Sequence, residues 1–554
     1  MDNTPIPHLV KTGPSTQLVV RGKPFLMLPG TLQSSALTSA DYMDTVWQKL
    51  KDSNANTLVG CVTWEMIEPV EGEFDFSELS KVILNARRHG FHLVLVWLGL
   101  FKNGFSTCVP SWVKTNPRRF PRAKVRGRGV PETADSISIF YQEGLKAATT
   151  AFVKFMEYIK DIDETYSTVL MVGVEHGPGL QRGSRDTCAA ANESFAEEPP
   201  KDLIQFLQDK WDTLHPHLTR IWNLERKGNT HASYAGQSWE QVFGKDPMSN
   251  LVFMAYHYAR YLDEIAAAGK AVYPIPMYTT AWINQDGQNI HRSYPILAGS
   301  GAMAGAFPSG CPISDGLYIW QKFAPNLDFI SPDLYLEDYA ELCADYCHGH
   351  QPLFIPEQRR DDYASPSAID MMDPQRNPFA KHFGLLNSVS TLVLEAQRTP
   401  GSSVGFCFDE GPDFRLRGSK KPVVRRWGDF EITIEPSSVF GEHDLGAGMV
   451  IHRGGAVFLL IGWGFKVRAK SLSPNATFTG ILRFEEKEVV DRETGELKTQ
   501  RRLNGGETMG GPLVMMPPEN PGNLGHVRFP VCIPVPVRTM IAELEVYALT
   551  EDDE

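Results

Sequence analysis

Short apolar runs and longer amphipathic stretches alternate over the first 410 residues of the chain. Eight runs stand out: Phe25–Gly30, Thr57–Trp64, His92–Gly99, Thr168–Glu175, Val272–Trp282, Asp328–Leu336, Pro352–Glu357 and Ser403–Gly411. Between most of them the apolar positions recur at the helical period, as in Asp41–Leu50, Leu79–His89, Gly144–Lys160, Asn250–Ala268 and Lys381–Arg398. A near-continuous apolar run suits a strand covered on both faces, and helices between such runs supply the cover. Eight units of this kind predict an α/β fold, a (β/α)8 TIM barrel. A doubly wound open sheet is the alternative, but no GxGxxG follows the first run.

Two connections are longer than the rest. Residues 177–271 join the fourth and fifth runs and include helical material at Lys201–Arg226. Ile283–Ser314, rich in Gly, Ser, Pro and Ala, follows the fifth run and reads as an active-site loop. Near residue 415 the pattern changes. Arg415–Arg426 is basic and turn-rich, and beyond it the apolar positions alternate. The strands expected there are Phe430–Ile434, Gly448–His452, Ala456–Gly462, Phe465–Lys470, Thr479–Val490, Val527–Pro536 and Met540–Leu549, with a hairpin turn inside Val490–Gln500. The expected domains are therefore a catalytic barrel over 1–414 and an all-β, sandwich-like domain over 415–554.

Composition narrows the function classes. The chain has 554 residues, 42% of them apolar, which is ample for a large core. Lys plus Arg number 54 against 66 Asp plus Glu, a net charge of −12, so no basic face for nucleic acid is expected and no attraction to an anionic membrane. No apolar run is long enough to span a bilayer, and Met1–Pro24 lacks the pattern of a secretory signal. A cytoplasmic protein is expected. The eight cysteines are scattered without a CxxC pair, which fits reduced, buried thiols. Cys343 and Cys347, with His348 and His350 beyond, read as a helix end rather than a zinc site. No metal and no other cofactor is expected, and self-association into a homo-oligomer stays open.

Barrel enzymes work at the C-terminal ends of their strands. Thr31 and Gln33 follow the first run, and Trp64, Glu65 and Glu68 the second. Glu175 and His176 end the fourth, Tyr278, Thr280 and Trp282 the fifth, and Asp333 and Tyr335 the sixth. Glu357 ends the seventh, Asp409 and Glu410 the eighth. Carboxylates and aromatics dominate, with no Ser-His-Asp set among them. Aromatic faces stack on sugar C–H groups, carboxylates grip hydroxyls, and paired carboxylates cleave glycosidic bonds. A small glycoside or related polar metabolite is the expected substrate. Each position also has a structural reading. Glu65 and Glu68 can cap a helix, Trp282 can be core, Asp409 and Glu410 can form a turn, and Glu357 can pair with Arg359 or Arg360.

The segment TWEMIEPVEGEFDF (Thr63–Phe76) resembles the strand-2 signature of clan A barrel glycoside hydrolases. More specifically the chain resembles glycoside hydrolase family 35, the β-galactosidase family, in its microbial branch with a C-terminal β domain. Phe101–Arg122, Met171–Gly179, Ser331–Tyr339, Pro352–Asp361 and Arg501–Thr508 also carry the likeness, which spans about residues 16–545. The resemblance implies a retaining exo-glycosidase with two glutamates. Its nucleophile matches Glu357 in PLFIPE. Its acid/base belongs to a V-E-N-E-x-G segment that here reads Val174-Glu175-His176-Gly177-Pro178-Gly179, so Gly177 stands at the acid/base position and His176 at the asparagine. Glu175 or His176 must then supply the proton, or the leaving group must need none. The family's approximate GELHNS is Gly30-Thr31-Leu32-Gln33-Ser34-Ser35 here, and Thr280 stands where an asparagine is expected. Two other readings follow from the altered rim. One is a non-hydrolytic enzyme of specialised metabolism (dehydration, isomerisation or cyclisation); the other is an inactive sugar-binding protein.

Overall fold

The first six apolar runs form one sheet: β1 (Pro29–Thr31), β2 (Thr57–Thr63), β3 (His92–Lys102), β4 (Val169–His176), β5 (Met277–Trp282) and β6 (Phe329–Asp333). Their order is β6-β5-β4-β3-β2-β1 and every pairing is parallel. An open doubly wound sheet reverses direction at a switch point. Here each strand lies beside its sequence neighbour, which is the winding of a barrel. The computed structural model describes residues 6–13, 15–126, 130–214, 236–245, 248–283, 304–335, 339–347, 351–358, 368–376, 378–408, 421–439, 442–443, 445–508, 511, 513–517 and 537–553.

The sheet is buried on both faces. Alternate residues Val59 and Cys61 of β2, and Val94, Val96 and Leu98 of β3, join Met171, Tyr278 and Phe329 inside the curl, with Leu18 and Val20 packed against them. The outward face is covered by helices whose apolar positions follow the 3.6-residue period. In α1 (Ser77–His89) these are Leu79, Val82, Ile83 and Ala86, and the helix ends at Gly90, whose φ of 81° suits glycine. In α2 (Gln142–Asp163) they are Leu145, Ala148, Phe152, Phe155, Met156 and Ile159. A third long helix, α3 (Met248–Val272), precedes β5.

The seventh run continues the order beside β6. Leu334 N–H donates to the Glu357 carbonyl at 2.9 Å, and Leu334 bridges Gln358 in parallel sense. On the other side Thr31 Oγ1, at the end of β1, donates to the Pro356 carbonyl at 2.5 Å. The seventh segment thus links the last strand of the sheet to the first.

The eighth run does not join it. Ser403–Phe408 (β7) pairs antiparallel with Gly446–Gly454, in a different sheet. Its burial alternates, with Val404 and Phe408 inward and Gly405 and Cys407 outward, where a barrel strand is buried on both faces. The chain divides into compact units at Ala380/Lys381 rather than at 414/415, with Lys11–Ser15 counted in the second unit. The stretch Lys381–Arg398, expected on the barrel, also belongs to the second unit. There Thr391 Oγ1 donates to the Arg492 carbonyl at 2.8 Å, and His382 stacks on Trp463 with ring centroids 3.6 Å apart. Among the described residues no eighth parallel strand is present. Asp409 and Glu410 lie outside the described residues.

Apart from these helices and two short 3-10 turns, the described residues of the second unit are strands and their connections. Its six-stranded sheet runs β7, β10 (Gly446–Gly454), β11 (Val457–Trp463), β16 (Ile541–Thr550), β13 (Ala476–Asp491), β14 (Glu496–Arg502). A four-stranded sheet runs β8 (Val423–Trp427), β9 (Phe430–Pro436), β12 (Phe465–Ser471), β15 (Val514–Met515). Ile432, Ile434, Phe465 and Val467 from one, and Phe458, Leu460, Phe484 and Leu544 from the other, share a core. The hairpin expected near 490–500 joins β13 to β14. The strand expected at Val527–Pro536 lies outside the described residues. RRLNGGET is structural: Lys487 Nζ lies 2.7 Å from Glu485, and Arg502 and Arg501 clamp Glu485 and Glu486.

Candidate active site

β3 and β4 part company near their C-terminal ends. Trp97 pairs with Val174, but the next pair is Lys102 with His176, so β3 bulges through residues 98–101. The bulge leaves amides without sheet partners, and Glu175 takes them. Its carboxylate accepts from Gly99 N–H at 3.1 Å, Leu100 N–H at 2.8 Å and Phe101 N–H at 2.7 Å. Glu175 is fully buried and its φ is 62°, a left-handed backbone that breaks the strand's alternation. Burial pushes its carboxyl up to about 8, against the pull of the three amides. Expected as a proton donor facing the pocket, Glu175 instead plugs the bulge of its neighbour strand.

His176 is 4% exposed and held from both sides. Its Nδ1 lies 3.1 Å from Asn103 Oδ1, and its Nε2 lies 3.0 Å from Glu357 Oε1 and 3.9 Å from Asp333 Oδ2. Asn103 also anchors the backbone here, its N–H donating to the His176 carbonyl at 2.8 Å. Both ring nitrogens thus face an oxygen.

Glu357 keeps a quarter of its side chain (25%) open to solvent. Its second oxygen accepts from Tyr335 O–H at 2.6 Å. Burial acts to raise its pKa, but His176, Lys102 and the Tyr335 hydroxyl outweigh it and hold the carboxyl well below the usual range. Lys102, at the end of β3, lies in Coulombic reach of Glu357 and Asp333. Burial lowers its pKa, while Cys61, Glu357 and Asp333 turn the shift upward. The thiol of Cys61 is pushed up to about 11 by burial, the state of an inert buried cysteine.

Gly177 has φ of 56° and its N–H donates to Thr280 Oγ1 at 2.9 Å. A Cβ added there would stand 2.9 Å from Asn103 Oδ1 and 3.3 Å from Asn103 Cα. A side chain at position 177 would meet Asn103 and require a left-handed backbone.

Thus His176, Asp333, Tyr335 and Glu357 meet, with Thr280 fixing the turn behind them. The remaining expected site residues lie elsewhere or turn away. Trp64 is fully buried, donating to Glu68 Oε2 at 2.7 Å, so it fixes the helix that opens after β2. Glu65 is exposed and paired with Lys114 at 2.7 Å. Tyr278 is fully buried in the barrel core, stacked on Phe329 with its ring edge against Phe354. Gln33 is exposed, and its backbone N–H donates to Asp370 Oδ1 at 3.0 Å. Trp282 is half-buried, its N–H donating to Cys311 Sγ at 3.3 Å. Asn103 and Lys102 were not foreseen; the FKNGF turn after run three is their only trace in the sequence. Arg359 and Arg360 lie outside the described residues. Among the described residues, one group could hold a metal ion: His176, Asp333 and Glu357.

Known proteins share parts of this chain. A family model described as β-galactosidase, that of glycoside hydrolase family 42, matches residues 38–251, and a domain of unknown function, DUF5597, matches 379–515. A β-galactosidase of Xanthomonas manihotis is 31% identical over 83 residues, which is 14% of this chain and 14% of that protein. The chain therefore matches about a seventh of that curated relative. Among solved structures, the β-galactosidase of Bacillus circulans sp. alkalophilus is 15% identical, covering 56% of this chain and 40% of that one at a TM-score of 0.34. A catalytic mutant of a family 42 β-galactosidase from G. stearothermophilus is 18% identical, covering 60% and 45% at 0.35. The β-amylase catalytic domain of Paenibacillus polymyxa is 14% identical, covering 55% and 76% at 0.35. The likeness is to clan A β-galactosidases in the barrel segment; the matched model is that of family 42, not family 35. Among the described residues no helix is long and apolar enough to cross a membrane.

Proposed function

We propose that the chain is a glycoside hydrolase of β-galactosidase type, with Glu357 as nucleophile and His176 as the proton carrier. One observation carries this reading. The Glu357 carboxylate stands partly exposed at the end of a parallel barrel segment, ionised and oriented by Tyr335 O–H at 2.6 Å and His176 Nε2 at 3.0 Å. The β-galactosidase model over residues 38–251 supports the substrate class. The finer placement near family 35, with a retaining exo mechanism, rests on the segments around 63–76, 171–179 and 352–361.

In the resting site Nε2 covers the attacking oxygen, so a bound glycoside must displace that hydrogen bond. Glu357 then forms a bond to the anomeric carbon as the glycosidic C–O bond breaks, and the freed Nε2–H protonates the departing oxygen. Water attacks the glycosyl ester next, giving its proton back to Nε2 and releasing Glu357. Asp333 Oδ2 lies 3.9 Å from Nε2, and a carboxylate there suits a sugar hydroxyl. With no carboxylic acid at position 177, substrates with acidic leaving groups are favoured.

The test is hydrolysis of aryl β-galactosides of graded leaving-group acidity by the full chain. Turnover that rises steeply with leaving-group acidity and vanishes in Glu357→Gln is expected. Unchanged turnover in that variant, or none by the wild type on any β-galactoside or β-glucoside, overturns the reading.

A further inference from the structure

The group at the strand ends has a second chemistry. His176 Nε2, Asp333 Oδ2 and Glu357 Oε1 come from β4, β6 and the seventh segment, and the cluster's donor atoms lie within 4.8 Å of one another. Nε2 stands 3.0 Å from the Glu357 oxygen and 3.9 Å from the Asp333 oxygen. Two ligands of a tetrahedral ion, each about 2.0–2.1 Å from the metal, sit about 3.4 Å apart. The two distances from Nε2 bracket that spacing, and the third separation is within 4.8 Å.

A second feature is independent of the spacing. Metal-binding histidines are characteristically fixed by an acceptor on the far ring nitrogen. Asn103 Oδ1 provides one at 3.1 Å from Nδ1, and its own N–H on the His176 carbonyl locks that arrangement. Nε2 is thereby aimed at both carboxylates. Tyr335 O–H holds the other Glu357 oxygen, leaving Oε1 for the ion.

We propose that His176, Asp333 and Glu357 bind a single divalent first-row transition metal of zinc or cobalt type. One imidazole with two carboxylates suits such ions better than calcium or magnesium, which take all-oxygen shells. The ion replaces the direct contact between Nε2 and Oε1. It occupies the oxygen assigned to attack, so metal and glycoside exclude one another. The site is thus an inhibitory one with respect to hydrolysis, but its existence does not depend on the hydrolase reading.

The probe is Co²⁺, followed by visible absorption on the metal-stripped full chain, with Zn²⁺ titration by calorimetry alongside. One saturable equivalent is expected, lost in His176→Gln and in Asp333→Asn. Asn103→Ala should weaken it by about 10–100-fold, the usual effect of removing such an outer partner. Lys102→Met should tighten it, because that cation faces Glu357 and Asp333. A Co²⁺ signal that persists unchanged in both ligand variants, or no saturable equivalent, overturns the proposal. If the ligand variants do not fold, Lys102→Met decides: unchanged or weaker binding overturns it. Turnover is not read, so loss of the metal site and loss of the hydrolase reading are separate outcomes.

Discussion

Glu175 and Glu357 are both carboxylates set against His176, one next to it in sequence and the other across a 3.0 Å hydrogen bond. Their partners differ in kind. Three backbone amides hold Glu175, fixed in number and direction by the bulge in β3. Side chains hold Glu357: an imidazole, a phenol and a more distant ammonium. A carboxylate satisfied by backbone has no face left for a substrate, whereas one satisfied by side chains can exchange a partner for a ligand. That difference, rather than sequence position, sets the buried Glu175 apart from the acid proposed to react.

The largest expected effect breaks the pair on the Glu357 side. Glu357→Gln should lower turnover of an activated aryl galactoside on the order of 10⁴-fold or more, as nucleophile removal does, with the fold kept. A steady-state assay beside a thermal melt checks both halves. Retained activity in a folded variant transfers the reactive role to another group.

Next comes Glu175. Removing its carboxylate strands three buried amides, each costing about 1–3 kcal/mol when unsatisfied. Glu175→Ala should therefore destabilise by roughly 3 kcal/mol or more, read by denaturant unfolding. The two glutamates should also show opposite pH signatures. Glu175 is raised to about 8 in the fold from its ordinary 4.5, so the folded state holds its proton more tightly. Its contribution to stability falls as pH rises from about 4.5 to about 8, and the penalty of Glu175→Gln should shrink over that window. Glu357 is depressed, so its contribution is present above about 4.5 and fades as pH falls through its folded value. The penalty of Glu357→Gln should grow from acid toward neutral pH. Parallel slopes for the two variants would erase the distinction between them.

Much of this was legible in the chain, for physical reasons that also explain the failures. The first six runs read correctly because a strand buried on both faces must be apolar throughout. Ser403–Phe408 imitated such a run because Gly405 and Cys407, its outward residues, are small and not polar. Trp64 and Tyr278 sat where sugar-stacking aromatics sit, but bulky rings at strand ends fill core equally well. Glu175 stands beside His176 in sequence, but its φ of 62° turns the backbone left-handed, so alternation along the strand does not tell where it points. Asn103 was invisible because its role arises from a bulge, and bulges leave little trace in a hydrophobic pattern.

A smaller effect tests whether the acid can be restored. Gly177→Glu must adopt φ of 56° with its Cβ 2.9 Å from Asn103 Oδ1. Left-handed non-glycine backbone costs on the order of 1–3 kcal/mol, so the variant should melt lower and gain no activity. Adding Asn103→Gly removes the nearest obstructing atom, Oδ1, and should recover part of that loss. Equal melting temperatures for Gly177→Glu and the wild type would mean that the glycine is incidental.

The smallest effect concerns Asn103, which on the proposed reading acts through the His176 ring that it holds at Nδ1. Asn103→Ala leaves the ring's contact with Glu357 but frees Nδ1 and the orientation it fixed. Turnover should fall about tenfold, the low end for impaired proton transfer, with KM little changed. Poor leaving groups should lose more than acidic ones, because only they need the proton, and Asn103→Asp, which keeps an acceptor on Nδ1, should restore the ratio. A merely structural asparagine would slow all leaving groups alike, so the slope against leaving-group acidity distinguishes a positioned proton carrier from a general loosening of the loop.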